Sequence, residues 1–225
     1  MTLDYWQQRW LAGRTGFHRE EVNPNLRAYL HRLRLAAGDR ILVPLSGKSV
    51  DIPWLAGQGY EPIGIEASEL AVEQLFEEQG VAPMRCHRGG LTLWRGGGLA
   101  SYVGDYFALT PAELGTIAAA WDRAALIALP ADQRPSYAAH TAELMPEGAP
   151  LLLVTMAYAD AGVAGPPYSV SPSEVASLYA PWFDIEGLAS DSGADAPGPL
   201  QAQGVSEVDE AVWLLSRNGQ SVWTR

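Results

Sequence analysis

The chain has 225 residues, 48% of them apolar, with a net charge of −11 and a sequence pI near 4.7. That length allows one substantial core within the usual size of a single domain, and the acidic balance repels nucleic-acid backbones and anionic membrane surfaces. Cys86 is the single cysteine, so neither an intramolecular disulfide nor a cysteine-rich metal site is available within one chain.

The start, "MTLDYWQQRW", lacks the apolar centre of a signal peptide, and no apolar run approaches the ~20 residues that span a bilayer. A soluble, cytoplasmic protein is expected. "RILVPLSGKSVD" (Arg40–Asp51) holds Lys48, the only lysine, in a Gly-Lys-Ser tripeptide. A triphosphate-cradling loop needs another glycine five positions before Gly47, and Leu42 stands there. "RILVPL" instead reads as a strand buried on both faces of a parallel sheet, followed by a helix over Asp51–Ala56 with Pro53 in its first turn. "EPIGIE" (Glu61–Glu66) is a second strand, and Ser68 caps a helix with Ala71, Val72, Leu75 and Phe76 on one stripe.

"LTLWRGGGLASYVG" (Leu91–Gly104) reads as a hairpin turning on its glycines. "APLLLVTMAY" (Ala149–Tyr158) is a further buried strand, "SPSEVASLYA" a short helix capped by Ser171 with Pro172 at its first position, and "DEAVWLLSR" a final strand. "SDSGADAPGPLQAQG" (Ser190–Gly204) has the composition of a mobile loop. The alternation of strands and helices predicts a doubly wound α/β sheet.

In such a sheet, ligands bind at the carboxyl ends of the strands, and an acidic residue about 20 positions past the first turn can take a ribose diol. Glu66 stands at that distance from Leu45 and Gly47. The first turn has no G-x-G-x-x-G, so a nucleoside without phosphates fits better than a dinucleotide. A solvated strand end is the competing reading of Glu66.

The motifs then carry a family resemblance. "WQQRW" (Trp6–Trp10), "GFH" (Gly16–His18), "PLSGKSVDI" (Pro44–Ile52), "WLAGQGY" (Trp54–Tyr60) and "GIEASELAV" (Gly64–Val72) follow one another in order. "GDYFALTP" (Gly104–Pro111), "WDRAALIAL" (Trp121–Leu129) and "GPPYSVSPSEV" (Gly165–Val175) come after them. This series resembles the thiopurine S-methyltransferase family nearly end to end. The resemblance implies a Rossmann-like class I methyltransferase fold, a doubly wound and mostly parallel seven-stranded sheet with helices on both faces. It implies a single domain over residues 1–225, with residues 1–35 as an N-terminal cofactor cover and residues 189–204 as a mobile substrate-side loop.

It further implies S-adenosyl-L-methionine as cofactor, S-adenosyl-L-homocysteine as product, and methyl transfer to a small-molecule thiol or related sulfur or selenium nucleophile. Trp6, Trp10 and Phe17 then line the cover, with Phe17 also facing the substrate. Leu45 lies near the methionine and ribose end, Glu66 accepts from the ribose, Asp105 and Tyr106 flank the adenine, and Arg123 stands between cofactor and substrate as the anion-positioning cation. No metal is implied, and a monomer without nucleic-acid or membrane partners is expected. Aromatic faces suit a sulfonium cation, although two tryptophans at i and i+4 also suit ordinary helix packing. Arg123 can equally pair with Asp122, His18 can tune a thiol or simply position, Lys48 can pair locally, and Cys86 reads as structural.

Ser46 stands where the family carries cysteine, and Leu200 to Gln203 are uncharged where it often carries a basic residue. A specialised metabolite with an oxygen, nitrogen, halide or thioether acceptor, and a non-catalytic cofactor-binding protein, are the rival functions, since fold alone does not select the acceptor.

Overall fold

A computed structural model describes residues 3–159 and 162–220. The chain divides into two compact units, Met1–Trp121 and Asp122–Arg225.

The first unit begins with α1 (Leu3–Leu11), on which Trp6 and Trp10 fall one turn apart on the same face. α2 (Pro24–Tyr29) is capped by Asn23, whose side chain accepts from the Asn25 N–H, and Pro24 takes a position where no N–H is needed. A 3-10 turn, Leu30–Leu33, leads to β1 (Arg40–Pro44), α3 (Asp51–Gly57), β2 (Glu61–Glu66) and α4 (Glu69–Glu78). Ser68 caps α4 as its sequence position predicts, accepting from the Ala71 N–H, a bond worth about 1 kcal/mol. Ala71, Val72, Leu75 and Phe76 form the buried stripe of α4, with the Phe76 ring 6.2 Å from that of Trp94.

Three strands, β3 (Met84–Arg88), β4 (Leu91–Gly96) and β5 (Leu99–Val103), precede a 3-10 turn at Tyr106–Ala108 and α5 (Pro111–Leu114). β6 (Ala119–Arg123) carries the chain out of this unit. The strand order is β3-β4-β5-β2-β1-β6. β1 is paired in parallel on both sides, to β2 and β6, which is why Ile41 and Leu42 are buried and "RILVP" reads as a continuous apolar run. β5 joins β2 in parallel, while β3 and β4 add an antiparallel ribbon at its far side. Gly97 and Gly98 both take positive φ in the two-residue turn between β4 and β5, the geometry that a right-twisted hairpin requires.

The second unit contains a 3-10 turn at Leu126–Ala128, α6 (Arg134–Leu144), β7 (Pro150–Ala157), α7 (Pro172–Tyr179), β8 (Phe183–Asp195), α8 (Gly198–Gln201) and β9 (Glu207–Arg217). Its strands run in the order β7-β9-β8, with both pairs antiparallel.

Three sequence expectations change here. Nine strands form among the described residues where seven were expected. The difference lies partly in β3, "MRCHR", a polar strand without alternation that pairing to β4 nevertheless holds extended. Residues 189–204, expected as a loop, are the end of β8 followed by α8. The ladder to β9 overrides a composition rich in Ser, Asp and Gly, with irregularities between Gly187 and Ala189 and between Asp191 and Ala194 absorbing the misfit. Cys86 is exposed on β3 and is not packed as a structural thiol.

Candidate functional site

The carboxyl end of β1 is shaped by two residues of positive φ. Leu45 sits at φ 45° and Gly47 at φ 54°. For leucine that conformation costs about 1–2 kcal/mol, and such strain is held only where surrounding structure fixes it. Gly47 must lack a side chain for a second reason, because a Cβ there would stand 2.9 Å from the Trp10 ring. Trp10 therefore lies against the turn, and α1 reaches the next one as well, through Gln7 Nε2 donating to the Ala67 carbonyl at 3.5 Å.

Glu66, at the end of β2, ties these turns together. Its Oε2 accepts from the Gly47 N–H and its Oε1 from the Ser68 N–H, both at 2.8 Å. Its carbonyl accepts from the Gly104 N–H at 2.9 Å, which brings the start of the Asp105 turn to the same place. Burial pushes the Glu66 carboxyl above its ordinary range, opposed by the N–H donors of Ser68, Gly47 and Ala67. Glu66 is therefore a buried acceptor, and the solvated strand end is ruled out. A carboxylate has about four lone-pair sites, so capacity remains for donors from a ligand.

The aromatic side chains expected to form a cover pack on one another as well as on the turn. Phe17 meets Trp6 and Trp10 edge to face, with centroids 5.7 and 5.6 Å apart, and the Arg9 guanidinium lies 5.8 Å from the Phe17 ring. Trp10 is buried, whereas Trp6 and Phe17 are half-buried. On the third turn, Asp105 accepts from the Phe107 N–H at 3.0 Å, which holds the Tyr106–Ala108 turn. Tyr106 is buried against Phe107, and Phe107 is exposed. Contacts thus link Trp6, Trp10, Phe17, the Leu45–Gly47 turn, Glu66 and the Asp105 turn within the first unit.

Arg123 belongs to the second unit and closes β6. Asp122 is fully buried, and its Oδ1 accepts from the N–H groups of Ala125 and Leu126 at 3.2 and 3.3 Å while Oδ2 accepts from the Tyr137 hydroxyl at 2.7 Å. Successive strand residues face opposite sides, so Asp122 organises the turn after Arg123 from the other face. Within that turn Ala124 takes φ 73°.

Lys48 separates from this group, pairing with Glu78 at 2.5 Å, far along α4. The His18 backbone N–H donates to the Thr15 carbonyl, which closes a turn beside Phe17. Sequence reasoning passed over Gln203, whose amide both accepts from the Ala164 N–H and donates to its carbonyl, at 2.8 and 2.9 Å. The uncharged segment 200–203 is thus a clip on the loop before "GPPYS". It also passed over Asp51, which accepts from the Asn23 N–H and the Trp121 indole. A buried aspartate inside "GKSVDI" carries no signal without knowledge of its distant partners. Among the described residues no cluster of His, Cys, Asp and Glu could hold a metal ion.

A family model described as Thiopurine S-methyltransferase matches residues 1–218. Similar curated proteins include a Thiopurine S-methyltransferase of Pseudomonas aeruginosa (strain UCBPP-PA14), 44% identical over 217 residues that cover 96% of this chain and 100% of that one. The Pseudomonas syringae pv. tomato protein of the same name is 43% identical over 218 residues, covering 96% and 99%. Among solved structures, Burkholderia thailandensis 1,6-didemethyltoxoflavin-N1-methyltransferase, with bound 1,6-didemethyltoxoflavin and S-adenosylhomocysteine, superposes with a TM-score of 0.62 at 14% identity over 96% of this chain and 87% of that one. A SAM-dependent methyltransferase from Methanosarcina mazei gives 0.61 at 15% identity over 88% and 99%. At such identities the structures establish the fold, that of the SAM-dependent methyltransferases.

Proposed function

The chain belongs to the thiopurine S-methyltransferase family, and on that premise we propose that the residues gathered around Glu66 hold the methyl donor, with Arg123 as the acceptor-facing cation. The protein is an S-adenosyl-L-methionine-dependent S-methyltransferase, EC 2.1.1 class, acting on a small thiol or related nucleophile, with S-adenosyl-L-homocysteine as product. Bound S-adenosyl-L-methionine supplies an electrophilic methyl group on a sulfonium sulfur.

The observation that carries the site assignment is the Glu66 carboxylate, buried yet still able to accept, at the meeting of three turns. In this reading Glu66 accepts from the ribose hydroxyls, Leu45 packs at the ribose and methionine end, and Asp105 and Tyr106 flank the adenine. The rings of Trp6, Trp10 and Phe17 exclude water and favour the cationic sulfur. Phe17 and Arg123 face the acceptor. Arg123 favours its thiolate, so a dedicated base is not required for a thiol whose ordinary pKa already leaves some anion at neutral pH.

We read residues 1–225 as one methyltransferase domain, with the single family model spanning both units in support. A cytoplasmic monomer that meets a small molecule, and neither nucleic acid nor membrane, agrees with the net charge of −11. No helix among the described residues is long and apolar enough to cross a membrane.

Turnover of Arg123→Met against aryl thiols of graded pKa tests the acceptor half. We expect roughly 100-fold lower turnover, largest for the least acidic thiols, with S-adenosylhomocysteine affinity nearly unchanged. An equal loss across the series would make Arg123 a positioning group, and no loss would remove it from the site.

A further inference from the structure

Besides the Gln7 bond to Ala67, the cover meets the rest of the first unit at two further places. One is the contact of Trp10 with Gly47. The other lies at Asn23, where the segment that follows α1 enters α2. The Asn23 N–H donates to Asp51 Oδ1 at 2.9 Å, and the Asn23 side chain accepts from the Asn25 N–H at 2.8 Å. Asn23 is buried, so the chain is held there from both directions.

Asp51 is only 3% exposed and does more than receive Asn23. Its Oδ2 accepts from the Trp121 indole N–H at 2.9 Å, and its own N–H donates to Ser49 Oγ at 3.2 Å. Ser49 belongs to the turn after β1, and Trp121 lies on β6 two residues before Arg123. One buried carboxylate therefore joins the end of the cover, the first turn and β6. Both partners of its oxygens are donors facing a fixed atom, so a neutral amide at position 51 would set an NH2 group against an N–H.

We propose that Asp51 is a positioning residue for methyl-donor binding: it fixes Asn23 as the hinge from which residues 3–22 close over the donor, without touching the donor itself. The inference rests on the reading of that segment as a cover. Segment 3–22 should consequently gain protection from S-adenosylhomocysteine, while Asn23 is held with or without it.

The test combines hydrogen exchange with calorimetric titration of S-adenosylhomocysteine, on wild type, Asp51→Asn, Trp121→Phe and the double variant. In wild type the Asn23 amide should exchange slowly in both states, and amides 5–18 should slow only with S-adenosylhomocysteine. Asp51→Asn should weaken binding about tenfold and reduce that ligand-dependent protection. Trp121→Phe removes the indole donor, so in the double variant the new amide oxygen at position 51 can accept from Asn23 with its NH2 unopposed. The double variant should bind within about threefold of wild type. A merely structural aspartate would lower thermal stability and leave both ligand readouts in place. Asp51→Asn with wild-type affinity and protection would overturn the proposal while the cover reading stands. Absence of ligand-dependent protection in wild type would overturn the cover reading, and the proposal with it. If Asp51→Asn does not fold, a rapidly exchanging Asn23 amide in wild type is sufficient to overturn the hinge.

Discussion

Glu66 and Asp122, a buried carboxylate from each unit, answer the same problem in different ways. Glu66 accepts from Gly47, 19 residues away, as well as from nearby Ser68, so it binds one turn to another. Asp122 takes its backbone donors from Ala125 and Leu126, three and four residues on, and completes its shell with the Tyr137 hydroxyl. The first gathers distant parts of the chain and retains capacity for a ligand; the second stiffens its own turn. Burial alone therefore does not distinguish the proposed ligand-binding acid from a scaffold group. The separation of its donors, and what they carry, is the better guide.

The largest expected effect separates the two at once. Glu66→Ala leaves the Gly47 and Ser68 N–H groups without their buried acceptor and removes the ribose acceptor, so S-adenosylhomocysteine binding should weaken by about 1.5–3 kcal/mol and the fold by about 2–4 kcal/mol. Calorimetry and urea melts measure the two losses separately. Unchanged affinity in the folded variant would place Glu66 beside Asp122 as a scaffold group.

Asp122 should show itself in pH dependence. Burial raises its pKa from 3.8 to about 6, with the Tyr137, Leu126 and Ala125 donors opposing the rise. The folded state then holds its proton more tightly than the unfolded chain. Its stabilising contribution is full below about pH 3.8 and is lost as pH rises through about 6, a swing of about 3 kcal/mol. Asp122→Asn cannot ionise. Relative to that variant, wild type should lose stability between about pH 4 and pH 6, as urea melts across that window would register. Parallel profiles would show that the carboxyl does not titrate there. Affinity for S-adenosylhomocysteine should barely change in Asp122→Asn, in contrast to Glu66→Ala.

Smaller effects sharpen the Glu66 side. Among the described residues Ser46 Oγ is buried without a hydrogen-bond partner, close enough to Gly64 that a Cβ there would stand 2.6 Å away. A thiol tolerates such a place better than a hydroxyl, so Ser46→Cys should raise stability by about 1 kcal/mol, visible in thermal melts. No gain would mean that water satisfies the hydroxyl. At Leu45, Leu45→Gly should be more stable than Leu45→Ala by about 1 kcal/mol, because φ 45° suits only the residue without a Cβ. Both variants should lose cofactor affinity if the Leu45 side chain packs at the ribose. The reverse stability order would mean that the turn relaxes to negative φ.

The β1-α3-β2-α4 order, the Ser68 and Ser171 caps and the glycine hairpin were legible in the residues alone, since each depends on neighbours within a few positions. The sequence also singled out Glu66, through its distance from the first turn, and Trp6, Trp10 and Phe17, through motifs that resemble a family, as candidates for the proposed site. Tertiary contacts were needed to show what Glu66 holds, that Trp10 rests on Gly47, and that Asp51 and Gln203 are clasps. A carboxylate or amide in a string of letters shows its capacity to accept or donate but not its partner 28, 70 or 39 residues away. The same reason explains residues 189–204. Local composition favoured a loop, and the hydrogen bonds that made part of it β8 come from β9, later in the chain. Backbone groups unpaired in isolation find partners only when distant strands arrive, and that gain outweighs weak local preference.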